Sequence, residues 1–519
     1  MRHRSFALAG LLLFAAPGLA LAQRPDPGTV VVGFGTDAQT LEPAEINSRD
    51  TQNIADHIWG SLFEIGDDGK VSPYLAESVS ESADGRDLAF KIKPGLTCHD
   101  GSPLTAEDVA FTFQRAADPT NKFTGSTPGF VLTSLGYKGA RVVDPLTAVI
   151  ELKDYNPIAL GLITEVKIVC KAPYTKMSRE QATQTPVGSG PYRFVEWVKA
   201  DHITLAKQPG FTARTAHFDK IVFRVIPEAS TRTAELMAGN LDIITSVAPD
   251  QIDTLNRSAN AKVQSVSGTR RMYVGFQQNP IFKTPGGEAV RKPEVRRALQ
   301  YAVDVPTICE QLLHVTCTRA TDLVNPPLGN PALKPYPYDP AMAEKLLDEA
   351  GYKRDAGGTR FTLTLQAPNG RYLNDKNVAL AIAQYLSDVG VKTDVQFLDW
   401  ASVYLPLTRR KEAGPLFFLG TGGGTWNALY DMADFATIAS VTNAPSWTDA
   451  RWFDAWPMAN RNQPEADRQK VINAMLQVFH DDGPWLLLYF QPDFYGVSNR
   501  LNWQARRDER INLVGATVR

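Results

Sequence analysis

Metal-ligand spacing is missing from this 519-residue chain: its four cysteines and seven histidines form no HExxH, no paired i,i+4 histidines and no CxxC. There is no GxSxG elbow and no GxxxxGK[ST] loop, which removes the marks of a serine hydrolase and of a P-loop nucleotide site. An excess of one charge is also missing. The 54 Lys+Arg nearly balance 56 Asp+Glu, giving a net charge of −2, so the basic surface that phosphate backbones select is absent and nucleic acid is excluded as a partner. No apolar run reaches the roughly 20 residues that span a bilayer, and no repeat, low-complexity segment or charge block is visible.

What remains is an ordinary globular composition, 43% hydrophobic, 9% aromatic and 21% charged, with room for three to four units of about 150 residues. Arg2 and Arg4 precede an apolar stretch from Phe6 to Phe14, and Pro17-Gly18 then leads to the small-x-small Ala20-Leu21-Ala22. That pattern predicts a secretory signal peptide over 1–22, cleaved after Ala22. With no cysteine at the cleavage site, the mature chain is expected to diffuse freely in the periplasm. In that oxidising compartment Cys309 and Cys317 are expected to close a small loop, contributing about 2–3 kcal/mol. Cys98 and Cys170 read equally as a second bridge or as two buried thiols.

The apolar patterning alternates strands and helices. Thr29 to Phe34 reads as a buried strand and Thr51 to Phe63 as a helix with Ile54, Ile58 and Leu62 on one face. A second helix opens at Thr105, whose hydroxyl caps the first turn. Tyr192 to Trp197, His202 to Ala206 and Lys220 to Ile226 read as strands, then Thr231 to Ala238 as a helix. Helices are expected at Pro293 to Val303, Pro340 to Ala350 and Asn377 to Val389, with strands at Phe361 to Gln366 and Lys392 to Phe397. This is an α/β pattern.

Local chemistry is sparse. Gly33 to Ala38 matches G-x-G-x-x-A after a strand, but Gln39 to Pro43 cannot open the helix that a dinucleotide site needs. Asp67-Asp68 and Asp481-Asp482 each precede glycine and read as solvated turns. Aromatic residues gather late in the chain, mostly as core, with a few available to line a cleft.

One long stretch carries more. Phe90-Lys91-Ile92-Lys93-Pro94-Gly95-Leu96 followed by His99-Asp100-Gly101-Ser102-Pro103-Leu104-Thr105-Ala106-Glu107-Asp108-Val109 resembles the signature of the peptide/nickel-type (family 5) solute-binding proteins of ABC importers. Val187 to Phe194, Met272 to Phe276, Val295 to Asp304 and Tyr338-Asp339-Pro340 extend the resemblance across the mature chain. It implies a two-lobed periplasmic binding protein fold (type II, cluster C) with an extra subdomain inserted in the first lobe. The expected map is 23–64 for the first segment of lobe 1, 65–185 for the insertion, 186–268 for the rest of lobe 1, 269–491 for lobe 2, and 492–519 returning to lobe 1. Hinges are expected near Thr269 and Gln491.

The resemblance further implies a monomer without cofactor or catalysis, which encloses a peptide or other small-molecule ligand and docks on an inner-membrane ABC permease. A non-peptide solute (opine, metal chelate, sugar) and a sensory role are the alternatives; a secreted hydrolase has no nucleophile, base or metal constellation to support it. The candidate ligand-binding residues are Trp400, Thr421, Gly422, Gly423, Trp426, Asn427 and Tyr489, while His99 reads as structural. Where the family carries a Trp and, further on, an acid for the ligand ammonium, this chain has Thr421 and no acid. That departure counts against recognition of a free peptide N-terminus, and Asp431 or Asp434 is the candidate substitute if the loop rearranges.

Overall fold

The run TVVVGF forms β1 (Thr29–Phe34), a strand of β-branched residues buried along nearly its whole length. The computed structural model describes residues 26–519 apart from Asp67, Asn369, 423–426 and Val441, so the expected signal peptide and half of the first acidic pair lie outside the described residues. β1 belongs to a ten-stranded mixed sheet with β2 (Tyr192–Val198), β3 (His202–Lys207), β4 (Lys220–Val225), β5 (Ile243–Ile244), β6 (Ala261–Phe276), β7 (Phe361–Pro368), β8 (Val391–Leu398), β9 (Leu416–Gly422) and β10 (Trp485–Ser498). Their order is β8-β7-β9-β6-β10-β5-β1-β4-β3-β2. β1 runs parallel to β4 and β5, and β7 runs parallel to β8 and β9, as a βα alternation requires.

Two strands join the halves. β6 has 16 residues and β10 has 14, and they pair antiparallel through both halves of the sheet. Their register slips between Ser267 and Arg271 and again before Tyr273. There a Cβ at Gly268 would lie 2.5 Å from Asp493 Oδ2 and 2.6 Å from the Gln491 carbonyl, so the crossing admits only glycine. Separate apolar clusters back the two halves: Val30, Ile58, Leu205 and Ile221 belong to one, Val274, Leu299, Leu365 and Ile382 to the other. The fold is a two-lobed α/β architecture.

Helix α1 (Arg49–Ile58) begins at Ser48, whose side chain accepts from the Thr51 amide. It stops at Ile58, five residues short of the expected end at Phe63, because Trp59 turns extended to bring Gly60 against Leu75. Helix α2 (Ala106–Ala117) opens with a capping box between Thr105 and Asp108. It packs on a four-stranded antiparallel sheet formed by Ala76–Glu81, Asp87–Ile92, Thr147–Leu152 and Tyr137–Asp144. Cys98 and Cys170 are joined across this region with their Cα atoms 6.3 Å apart, and Cys309 and Cys317 are joined with theirs 6.0 Å apart.

His99 explains why two distant motifs go together. Its Nδ1 accepts from the Gly188 amide at 3.1 Å, which places the proton on Nε2 to donate to the Gly190 carbonyl at 3.0 Å. A Cβ at Gly188 would sit 2.0 Å from the Ile58 carbonyl, so the clasp needs glycine there. Burial pushes the imidazole pKa down to about 4. The unfolded chain takes up a proton near pH 6.5 that the folded ring refuses, so stability present above pH 6.5 is lost as pH falls through about 4. The expected loss is on the order of 2–3 kcal/mol after allowance for partial solvent screening. In urea unfolding across this pH range, the gap between the wild type and His99→Gln should narrow as pH falls; a constant gap would refute the assignment.

Candidate functional site

Between the lobes lies a cavity of about 690 Å³. The first turn of α1 supplies Arg49 and Asp50, the 245–250 segment follows β5, and the far wall is Gly370 to Asn374 beyond β7. The floor is the strand crossing, where Arg270, Gln491 and Asp493 meet Glu509 from the C-terminal segment. Two adjacent arginines stand in the second half of β6, and the pleat sends them apart. Arg270 pairs with Glu509 at 2.8 Å, and Arg271 pairs with Asp431 at 2.7 Å.

The charges on the floor are tightly arranged. Burial opposes ionisation of Glu509, yet Arg270 and then Arg49 hold its carboxyl below its usual range. Asp493 goes the other way: burial, with the Glu509 charge beside it, pushes its pKa well up. Burial also raises Asp50, although the Thr36 hydroxyl donates to it at 3.1 Å.

On the second lobe, Arg371 lies over two rings, its guanidinium carbon 5.1 Å from the centroids of both Tyr372 and Trp400. Those rings meet edge to face at 5.9 Å, and the Tyr372 hydroxyl donates to the Gly420 carbonyl at 3.2 Å. Burial, and then the neighbouring Arg270, lower the Arg371 pKa. Arg271 and Arg270 are thus paired with acids of the protein, while Arg371 rests on an aromatic shelf at the cavity wall.

The structure redistributes the residues singled out from sequence. Trp400 is half-buried in the shelf under Arg371. The Thr421 hydroxyl accepts from Arg271 at 3.1 Å, Gly422 pairs with Arg270 across β9 and β6, and Asn427 caps the helix Ala428–Met432 through Leu429. Gly423 and Trp426 lie outside the described residues. Tyr489 requires correction: at 1% exposure it is packed in the second-lobe core, and Gln491 and Asp493 further along β10 face the cavity instead. Strand alternation does not tell which residue past the core begins to line a cleft.

The two acids after the loop both lie beside Arg271. Asp431 is fully enclosed, paired with Arg271 and accepting from the Asn325 amide and side chain at 2.9 and 3.0 Å. It is committed within the protein. Asp434 stands 3.5 Å from Arg271, and burial raises its pKa to about 6. Sequence reasoning missed Arg49, Arg270, Arg371 and Glu509, which come from four separate segments. The one local signal was the Arg270-Arg271 pair directly before the apolar Met272 to Phe276 end of β6.

A smaller cavity of about 280 Å³ lies within the first lobe. Its charged lining is internally paired, with Lys167 on Asp56 at 2.5 Å and Arg506 on Asp508 at 2.6 Å. Among the described residues no cluster of His, Cys, Asp and Glu suits a metal ion, and no helix is long and apolar enough to cross a membrane.

Two α/β lobes joined by crossing strands, with a charged cavity between them, define a solute-binding protein. The chain belongs to the bacterial extracellular solute-binding proteins, family 5, whose sequence model matches residues 70–442. It is 26% identical over 475 residues to the glutathione-binding protein GsiB of Escherichia coli K12, covering 88% of each chain. Its fold is similar to the ABC transporter substrate-binding protein CtaP of Listeria monocytogenes, with a TM-score of 0.82, 20% identity, and coverage of 95% of this chain and 100% of that one. The periplasmic binding protein DppA of Helicobacter pylori, solved with a peptide, gives a TM-score of 0.78 at 21% identity over 94% of this chain and 98% of that one.

Proposed function

We propose that this chain is the periplasmic substrate-binding component of an ABC importer, which captures a peptide or peptide-like solute between its lobes and delivers it to an inner-membrane permease. The observation that carries the reading is Arg371, held over Trp400 and Tyr372 and open to the interlobe cavity, where it suits a ligand carboxylate. The glutathione-binding and peptide-bound relatives support the same ligand class. Export through a signal peptide over 1–22, action as a monomer without catalysis or cofactor, and the segment map with the insertion at 65–185 belong to this proposal.

In the mechanism that follows, the ligand touches both lobes and so favours the form in which they are together, the strands bending where the β6–β10 register slips. Two contacts already bridge the lobes: Phe130 meets Tyr430 edge to face at 5.6 Å, and Arg468 reaches the Tyr155 hydroxyl at 3.4 Å. With Asp431 committed to Arg271, Asp50 and Asp250 are the first-lobe carboxylates placed to receive a ligand ammonium.

Native mass spectrometry of the protein exported in a bacterial host, followed by denaturing extraction, tests the reading. A co-purified peptide-like solute is expected. Arg371→Gln should weaken its binding at least tenfold, the range of a lost charge-assisted hydrogen bond. A non-peptide solute that is unaffected by Arg371→Gln would overturn it.

A further inference from the structure

Arg371 sits in a connecting turn, the kind of backbone that is usually least fixed in a fold, yet this turn is bonded at every residue from 370 to 374. Asp375, at the start of the helix Asp375–Asp388, is 3% exposed. Its Oδ1 accepts from the Gly370 amide at 2.9 Å, and its Oδ2 accepts from the Arg371 and Tyr372 amides at 2.8 and 3.0 Å. The next amide, that of Leu373, donates at 3.1 Å to Oε1 of Gln491 on the strand crossing. Asn374 takes a left-handed backbone with φ 51°, and its side chain donates to the Leu312 carbonyl at 2.7 Å.

Helix capping does not account for these bonds. A capping side chain bonds the amides of the helix's own first turn, and an acid there gains from the positive helix end; Asp375 instead reaches back to amides that precede the helix. Both of its oxygens go to backbone. The Arg371 guanidinium, on an exposed residue of the cavity wall, is left to lie over Tyr372 and Trp400. Tyr372 is fixed at two points, its amide by Asp375 and its hydroxyl by the Gly420 carbonyl, so the shelf and the residue it carries are set by the same carboxylate.

We propose that Asp375 is the positioning residue of the site: it folds the 370–374 turn so that Arg371 meets a ligand carboxylate already oriented. This rests on the reading of Arg371 above and adds to it a residue that sets specificity without touching the ligand. An arginine side chain has many rotamers, and fixing its backbone and the rings beneath it before the ligand arrives removes part of the ordering cost of binding. Taking the carboxylate away strands the Gly370, Arg371 and Tyr372 amides, and the turn has to move to satisfy them from water. Arg371 then leaves its shelf, and the site loses its means of telling a carboxylate from a neutral amide.

The test is capture from an equimolar mixture of tripeptides and their C-terminal amides, read by native mass spectrometry, with far-UV circular dichroism checking the fold of each variant. The wild type is expected to enrich the free acids about tenfold or more over the amides. Asp375→Asn, which keeps a single acceptor oxygen, should bring that ratio below about threefold, and Asp375→Glu, which restores the second, should recover part of it. In the Arg371→Gln background, Asp375→Asn should change the ratio by less than about twofold, because its effect passes through Arg371. A ratio unchanged in Asp375→Asn while Arg371→Gln abolishes it, or a separate further loss in the double variant, overturns the inference and leaves the peptide reading intact. A ratio unaffected by Arg371→Gln, or capture of no peptide, overturns the reading of Arg371 and this inference with it. Should Asp375→Asn fail to fold, hydrogen exchange of the ligand-free wild type decides: slow exchange of the Gly370, Arg371 and Tyr372 amides is expected, and exchange as fast as in an open chain overturns the inference.

Discussion

Replacing Asp431 with alanine is expected to lower the stability of the protein by about 3–5 kcal/mol, the penalty for stranding one partner of a buried ion pair. The side chains of Arg271 and Asp431 are 3% and 0% exposed and 2.7 Å apart, so no water can take over the lost charge. The same substitution orphans the Asn325 amide and side-chain donors, both now bonded to Asp431. Asp434, the remaining acid, is 3.5 Å from Arg271 and has a pKa raised to about 6 by burial. Because that folded value is raised, the proton it binds favours the folded state at low pH, and this contribution is lost as pH rises through 6. Denaturant unfolding of Asp431→Ala measures the loss, and the double variant Arg271→Met/Asp431→Leu should recover much of it by removing both charges together. A loss under 1 kcal/mol for Asp431→Ala would mean that Arg271 is compensated elsewhere.

Removing the Cys98–Cys170 bridge is expected to cost about 4 kcal/mol, against about 2.5 kcal/mol for Cys309–Cys317, because the entropy withheld from the unfolded chain grows with the length of the closed loop. The sequence separations are 72 and 8. Cys98 follows the Phe90 to Leu96 strand end and Cys170 lies beside Gly188, so the longer bridge sits next to the His99 clasp. Comparing Cys98→Ala/Cys170→Ala with Cys309→Ala/Cys317→Ala in the same unfolding assay should rank them in that order. The reverse ranking would show that the unfolded chain keeps structure around the longer loop.

The candidate site was only partly legible in the sequence, and particular residues show why. Trp400 drew notice as a ring after an acid, and in the structure it does support the cavity's free guanidinium, but nothing near it in sequence announced Arg371, which reaches it from another segment. Tyr489 looked the same as Trp400 in sequence, an aromatic near the end of an apolar strand, yet it belongs to the core. Asp431 and Asp434 stood out as acids near the departing Gly420 to Asn427 loop; their pairing with Arg271 depends on a strand some 160 residues earlier.

By itself the sequence determined the elements and their kind. Period-two and period-3.6 apolar spacing, the Ser48 and Thr105 caps and the glycines that end helices are local properties, set by the backbone within a few residues, and they suffice for an α/β chain. The His99 and Gly188 motifs were legible as signatures, but their clasp was not. Tertiary structure alone decided which charges are spent and which are free: Arg270 meets Glu509 and Asn325 meets Asp431 across 239 and 106 residues of chain. Among the described residues the buried Nη1 of Arg49 makes no hydrogen bond, and its charge helps keep Glu509 ionised. An ion pair needs two groups within a few ångströms and a low-dielectric surrounding, and both conditions exist only once the lobes have folded and the strands have crossed.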